Sequence, residues 1–149
     1  MINIAIKTIK WFFSLSPKKR ITYVSKGQQE CHNVLKELFP KNIFKTVRPD
    51  FLQNPKTKRN LELDLYCEEL KLAIEYNGAQ HYFFSPHYHP TLDHFEKQKY
   101  RDQLKKRLCK KNKIILIVVP HTVTDIRMFI TKKLYKKKII QINNSCIIV

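Results

Sequence analysis

Leucines at positions 61, 63 and 65 alternate with Glu62, Asp64 and Tyr66, and only the short link EELK separates this run from a second extended stretch, KLAIEYN at 71–77. Alternation with a period of two marks a half-buried strand, so two such runs this close together predict an antiparallel hairpin. A two-residue turn at Glu69-Leu70 sets its register and puts Asp64 directly opposite Glu75. Opposed residues on an antiparallel pair have Cβ atoms roughly 4.5–5.5 Å apart, and like charges there are destabilising by up to about 1 kcal/mol unless something compensates them. A hard divalent cation is one compensation, because Mg²⁺ takes carboxylate oxygens and keeps waters that can serve as nucleophile. A plain ion pair with Lys71 or Lys105, on the solvated face of an edge hairpin, is the other.

The rest of the chain reads as a frame around this hairpin. Residues 27–39 (GQQECHNVLKELF) place Val34, Leu35, Leu38 and Phe39 at helical spacing before Pro40. Residues 43–52 look extended, and QNPKTKRN makes a polar turn into the hairpin. After an aromatic and histidine-rich loop, GAQHYFFSPHYHPT, a long helix is predicted from about Asp93 to Lys113, with Tyr100, Leu104 and Leu108 along one face. The run IILIVV at 114–119 lacks alternation, as a strand covered on both faces should, and an amphipathic helix follows from Thr124 to about Lys137. The order helix, strand, hairpin, helix, strand, helix implies an α/β sandwich with a mixed central sheet flanked by helices. The predicted organisation is a basic and apolar extension at 1–25, one domain at 26–138 and an apolar tail at 139–149. A chain of 149 residues has room for one such core.

Charge narrows the partner. Twenty-nine Lys and Arg against twelve Asp and Glu give a formal net charge of +17, a self-repulsion best tolerated beside a polyanion. DNA is the expected partner, although an AT-rich coding sequence would enrich lysine too. Residues 97–113 hold nine cations and one acid, whereas Glu62, Asp64, Glu68, Glu69 and Glu75 crowd into fourteen residues at the centre. The four cysteines are scattered without a C-x-x-C pair, which points to neither a disulfide framework nor a zinc ribbon and favours a reducing, intracellular setting. The stretch INIAIKTIKWFFSLS is broken by Lys7 and Lys10 and falls short of the roughly 20 apolar residues of a membrane span. It is expected to be a helix packed on the domain or on a partner.

The company kept by the two acids favours chemistry. Gly78 follows the second strand, then Gln80 and His81, and the long helix brings Asp102 and Lys105 at i, i+3 on a face turned away from its apolar stripe. A histidine with a near-neutral pKa can move a proton or donate to a phosphate oxygen. His87 and His89 are expected to line a loop that lies on DNA beside Tyr82, Phe83 and Phe84, at least one of which should be core. An H-x-H zinc site at 87–89 would need a distant cysteine. Arg48 is placed either as a bidentate phosphate donor or in an ion pair with Asp50 or Glu62.

The elements LD-x-Y, IEYNG-x-QHY and D-x-x-K-x-x-x-C, in that order over residues 26–123, resemble the PD-(D/E)XK restriction-endonuclease-like proteins of large DNA viruses and phages and, more distantly, very-short-patch-repair endonucleases. The resemblance implies a restriction-endonuclease-like α/β sandwich and an Mg²⁺- or Mn²⁺-dependent endodeoxyribonuclease that nicks or cuts DNA in repair or recombination. It implies Asp64 and Glu75 as metal ligands, His81 or Gln80 as general base or phosphate ligand, and Glu30 as a helix glutamate aimed at the metal or its water. Asp102 would support that set, with Arg48, Asn77, Lys97, Lys99, Arg101, Lys105 and Lys106 on the DNA, and two chains would act together if both strands are cut. The sequence departs from the pattern at Asn77, where the family carries a lysine. That departure keeps open the alternative of a non-catalytic nucleic-acid-binding or virion-associated structural protein.

Overall fold

The computed structural model describes residues 24–143 and 146–148; the predicted N-terminal helix lies outside them. The hairpin forms as its alternation requires. Strand β2 (Leu63–Cys67) pairs antiparallel with β3 (Leu72–Asn77) through Leu65–Ile74, Tyr66–Ala73 and Cys67–Leu72, which is the register expected from the turn. The connection spans residues 68–71, closed by the Lys71 N–H donating to the Glu68 carbonyl at 3.1 Å, with Lys71 in the left-handed region at φ 49°. Strand β1 (Lys45–Val47) adds antiparallel to β2, and β4 (Ile115–Pro120) adds parallel to β3, giving a four-stranded mixed sheet in the order β1-β2-β3-β4.

The predicted extended run at 43–52 shortens to β1, because Pro49 ends it and Asp50–Leu52 turns into one 3₁₀ turn. Among the described residues three helices cover the sheet: α1 (Lys26–Leu38), α2 (Leu92–Lys111) and α3 (Ile126–Lys136). Each starts on a side-chain cap that satisfies an orphan backbone N–H. Ser25 accepts from Gln28, Thr91 from His94 and Asp125 from Met128. The apolar tail supplies Ile140 to the core and then pairs its own backbone as a two-stranded sheet, β5 (Gln141–Asn143) with β6 (Cys146–Ile148).

Alternation along the strands sorts the side chains into two layers. On one face Leu65, Cys67, Leu72, Ile74, Ile117 and Val119 meet Val34, Leu35 and Leu38 of α1 and Ile130 and Leu134 of α3. On the other, Tyr66 and Ala73 meet Leu104 and Cys109 of α2, with Tyr100 and Leu108 packed alongside. Asp64 and Glu75 share the parity of Tyr66 and Ala73, so they lie on the face that α2 covers, Glu75 buried and Asp64 partly so. The sheet is therefore an α/β sandwich whose acid-bearing face is roofed by the most basic helix of the chain.

Leu35 is fully buried between α1 and the sheet. Truncation to alanine there removes the isopropyl end of the side chain and its contacts at a site that close packing cannot refill, at a cost of about 2–5 kcal/mol. Leu35→Ala is expected to lower the urea midpoint accordingly with an unchanged denaturant slope.

Candidate functional site

Beyond Leu65 and Ile74 the ladder of residue pairs ends and the two acids take over. The Asp64 N–H donates to Glu75 Oε1 at 3.3 Å, and the Tyr76 N–H donates to Asp64 Oδ2 at 3.4 Å. Each carboxylate thus satisfies a backbone donor of the strand opposite it. Glu75 is only 4% exposed, and its second oxygen, Oε2, accepts from the Lys105 ammonium of α2. Burial pushes the Glu75 carboxyl up to about 7, against the pull of Lys105 and with a further push from the Asp64 charge. Desolvation also raises Asp64, opposed by Lys105 and by the Tyr76 N–H.

Asp64 opens onto a cleft of about 340 Å³ whose walls are the residue 54–62 segment on one side and α2 on the other. His81 lies at its margin, where the 3₁₀ turn Ala79–His81 follows β3. Its Nδ1 is 2.7 Å from Asp102 Oδ2, both side chains being largely buried. An acceptor-only carboxylate at that distance selects the Nδ1–H tautomer and leaves Nε2 with its lone pair, the form able to take a proton. Gln98, Arg101, Asp102 and Lys105 come from successive turns of α2 and form one wall.

The hairpin, His81, Asp102, Arg101 and Arg48 therefore meet at one place, as the sequence predicts. Arg48 also takes the plain alternative, donating from Nε to Glu62 Oε2 at 3.0 Å. Lys105 is corrected from a DNA-phosphate contact to the direct partner of Glu75. This was one of the two ion pairs open to the hairpin, while Lys71 pairs with Glu68 instead.

Other expectations are overturned by packing. Asn77 is buried, with its backbone carbonyl accepting from the His121 N–H and its side chain meeting the Tyr82 hydroxyl, so it cannot reach DNA. Glu30 is exposed on α1, on the opposite face of the sheet from the cleft. Gln80 folds its amide back against Gly78, where an added Cβ would overlap it, and does not line the cleft. By contrast, Lys97, Lys99 and Lys106 stay exposed on α2, the first two in surface pairs with Asp93 and Glu96, and none of the three lines the cleft.

His89 is buried and does not lie on a surface: it accepts from the Ser85 N–H and donates to Gln98 Oε1. None of Tyr82, Phe83 and Phe84 is core; all three are exposed. What sequence reasoning missed is the segment QNPKTKRN. Read as a plain polar turn, it brings Asn54, Thr57, Arg59 and Asn60 to the cleft, and its position directly before the Asp64 strand was the available signal.

Mg²⁺ asks for one or two carboxylates and keeps waters for the remaining positions. Asp64, which lines the polar cleft, and Glu75, buried directly beside it, supply two juxtaposed carboxylates of the kind that demand calls for. Among the described residues no group of three or more His, Cys, Asp and Glu gathers into an all-protein metal cage.

No family model matches the chain, and no solved structure does. It is 45% identical to Uncharacterized protein 307L of Invertebrate iridescent virus 6, in an alignment covering 74% of this chain and 63% of that protein. It is 41% identical to Uncharacterized protein 033L of Invertebrate iridescent virus 3 (74% and 57%), and 40% identical to Uncharacterized protein 094L of Frog virus 3 (74% and 71%). The chain belongs to the viral protein family that these three represent, and it spans about six-tenths of the length of the first two. Among the described residues no helix is long and apolar enough to cross a membrane.

The Glu75–Lys105 pair generates a pH-dependent test. A carboxyl raised from 4.5 to about 7 contributes stability below its unfolded value that is lost as pH rises through the folded one. Removing the ammonium raises that carboxyl further and leaves a buried charge unpaired, a loss on the order of 3–5 kcal/mol when the acid is ionised. Lys105→Met is therefore expected to unfold much earlier in urea than wild type at about pH 8 and to approach it at about pH 5. Equal deficits at the two values would mean that the pair is solvated and weak.

Proposed function

We propose that the chain is a metal-dependent endodeoxyribonuclease with a restriction-endonuclease-like fold. The observation that carries this reading is the convergence of Asp64, Lys105 and the His81–Asp102 pair on one cleft of a strongly basic chain, with Glu75 buried behind them in contact with Asp64 and Lys105. The resemblance noted in the sequence leaves a lysine missing at Asn77. Lys105, arriving from α2 onto Glu75, supplies an ammonium to the same carboxylate from a different element.

Asp64 and Glu75 would hold Mg²⁺ or Mn²⁺, which when bound supplies an acidified water and neutralises charge on the phosphoryl oxygens. The chain's own groups do the rest. Asp102 fixes the His81 ring so that Nε2 can accept the proton of an attacking water. Lys105 holds positive charge beside the acids, where negative charge grows on the phosphoryl group. Arg48, Arg59 and Arg101 border the cleft and suit the phosphates on either side of the scissile one, through planar bidentate contacts. A net charge of +17 suits a protein that works on DNA.

Supercoiled plasmid incubated with Mg²⁺, Mn²⁺ or EDTA is expected to be nicked or linearised only with metal. Asp64→Ala should abolish product, and His81→Ala should lower the rate by about 10²–10⁴-fold. Intact plasmid under every metal, with salt-sensitive binding unaffected by Asp64→Ala, would leave a DNA-binding protein without catalysis. A second expectation concerns metal affinity. Protons compete with the cation at a carboxyl whose pKa is about 7, so calorimetric Mn²⁺ affinity should rise about tenfold between roughly pH 6 and pH 8. A flat profile would exclude Glu75 as a ligand.

A further inference from the structure

From Gly78 to Leu92 the chain carries no Lys, Arg, Asp or Glu, although charged residues make up 28% of the whole. This uncharged segment starts at the margin of the cleft with His81 and exposes large apolar side chains. Phe83 is 66% exposed, Tyr88 60% and Tyr82 44%, with Phe84 beside them. None belongs to either hydrophobic cluster.

The segment is nevertheless pinned in place. Buried His89 ties it to α2 through Gln98, itself a cleft residue, and Phe84 stacks on His89 with ring centroids 6.0 Å apart. Tyr82 and Phe83 lean on His121 at 5.5 and 6.4 Å. A tethered loop that keeps its rings in water pays a hydration penalty that folding alone does not explain.

We propose that this loop is a stacking platform for unpaired bases, so that the substrate of the cleft is DNA with a single-stranded stretch beside the scissile phosphate, such as a fork or flap. The inference rests on the reading of the cleft as a DNA site and adds the class of DNA. Two features choose the occupant. The loop meets the arginine-walled cleft at His81 and through the His89–Gln98 contact, so a strand whose phosphates lie in the cleft has the loop beside it. And the absence of any Lys or Arg within the loop suits base faces, not phosphates, because stacking on an aromatic ring is available to every base irrespective of sequence. A paired duplex keeps its faces covered and has nothing to offer the exposed rings.

The test is binding in EDTA, so that cleavage plays no part. A forked oligonucleotide and a fully paired duplex of equal length are titrated with the whole chain, with 2-aminopurine placed at the first unpaired position of the fork. The fork is expected to bind about tenfold more tightly at equal salt, with quenching of the fluorophore as it stacks. The double variant F83S and Y88S, both at exposed positions, should lose the preference and the quenching while binding paired duplex within about twofold of wild type.

Equal affinity for the two DNAs, with no change in fluorescence, overturns the platform while leaving the nuclease reading intact. No binding to either DNA sinks the cleft reading and the platform with it. Sedimentation showing wild type as a dimer and the double variant as a monomer would give the patch to a second copy of the chain and also overturn the proposal. The fluorescence readout on wild type stands independently of how the variant folds.

Discussion

Two acids face each other on the inner side of a hairpin, and a lysine from the covering helix answers one of them; the rest of the site follows from that arrangement. The carboxylates cannot be left bare in a half-buried position, since burial already lifts both toward protonation. Each finds a backbone N–H on the opposite strand where the ladder of residue pairs ends, and Lys105 closes the remaining oxygen of Glu75. For Lys105 to arrive, α2 must lie across this face at one height. That height is set by Tyr100, Leu104 and Leu108 packing on Leu52, Leu61, Leu63 and Tyr66. The apolar stripe of α2 therefore positions its polar one, and Asp102 and Arg101 reach the cleft as a consequence.

The helix shows how a basic sequence divides its charge. Lys97 and Lys99 are paired within α2, Lys105 is drawn inward to Glu75, and Arg101 borders the cleft. Exposed i, i+3 and i, i+4 pairs contribute only a few tenths of a kcal/mol, so the pairs at Lys97 and Lys99 matter little to stability. Counting cations along the sequence gives the sign of the preferred partner. Their geometry, which determines what that partner touches, is a property of the packed helix.

The same division explains what could be read from the chain in advance. The hairpin was legible because a period of two and a short link leave one register that buries Leu63, Leu65 and Leu72, and that register delivers Asp64 opposite Glu75. Helix boundaries were legible from the apolar spacing of Val34, Leu35 and Leu38 and from the stripe on α2. Lys105 was legible only as one of two possible partners, because the distance from residue 75 to residue 105 is closed by tertiary packing and not by any local rule. Asn77 misled for a related reason: its position in the motif suggested a role on DNA, whereas in the fold it is a buried bracket for Tyr82 and His121. Glu30 failed on the side of the sheet, which the period of α1 alone does not assign. Arg59 and Asn60 escaped because turn chemistry says that a chain reverses, not what it reverses onto.

Stability alone gives a poor account of the acidic cluster. A buried ion pair replaced by apolar groups of similar volume is often neutral or stabilising by about 1–4 kcal/mol, and the floor of this cleft could have been closed with two more leucines in the pattern of 61, 63 and 65. Instead Asp64 and Glu75 sit where their proton affinity is raised, beside a histidine oriented by its own carboxylate. A structural role for Glu75 would be satisfied by Lys105 alone and has no use for Asp64 opening into the cleft or for the His81–Asp102 contact at 2.7 Å. Two carboxyls that burial lifts in the same direction, next to an oriented histidine at the edge of an open cleft, are a costly arrangement that packing does not require.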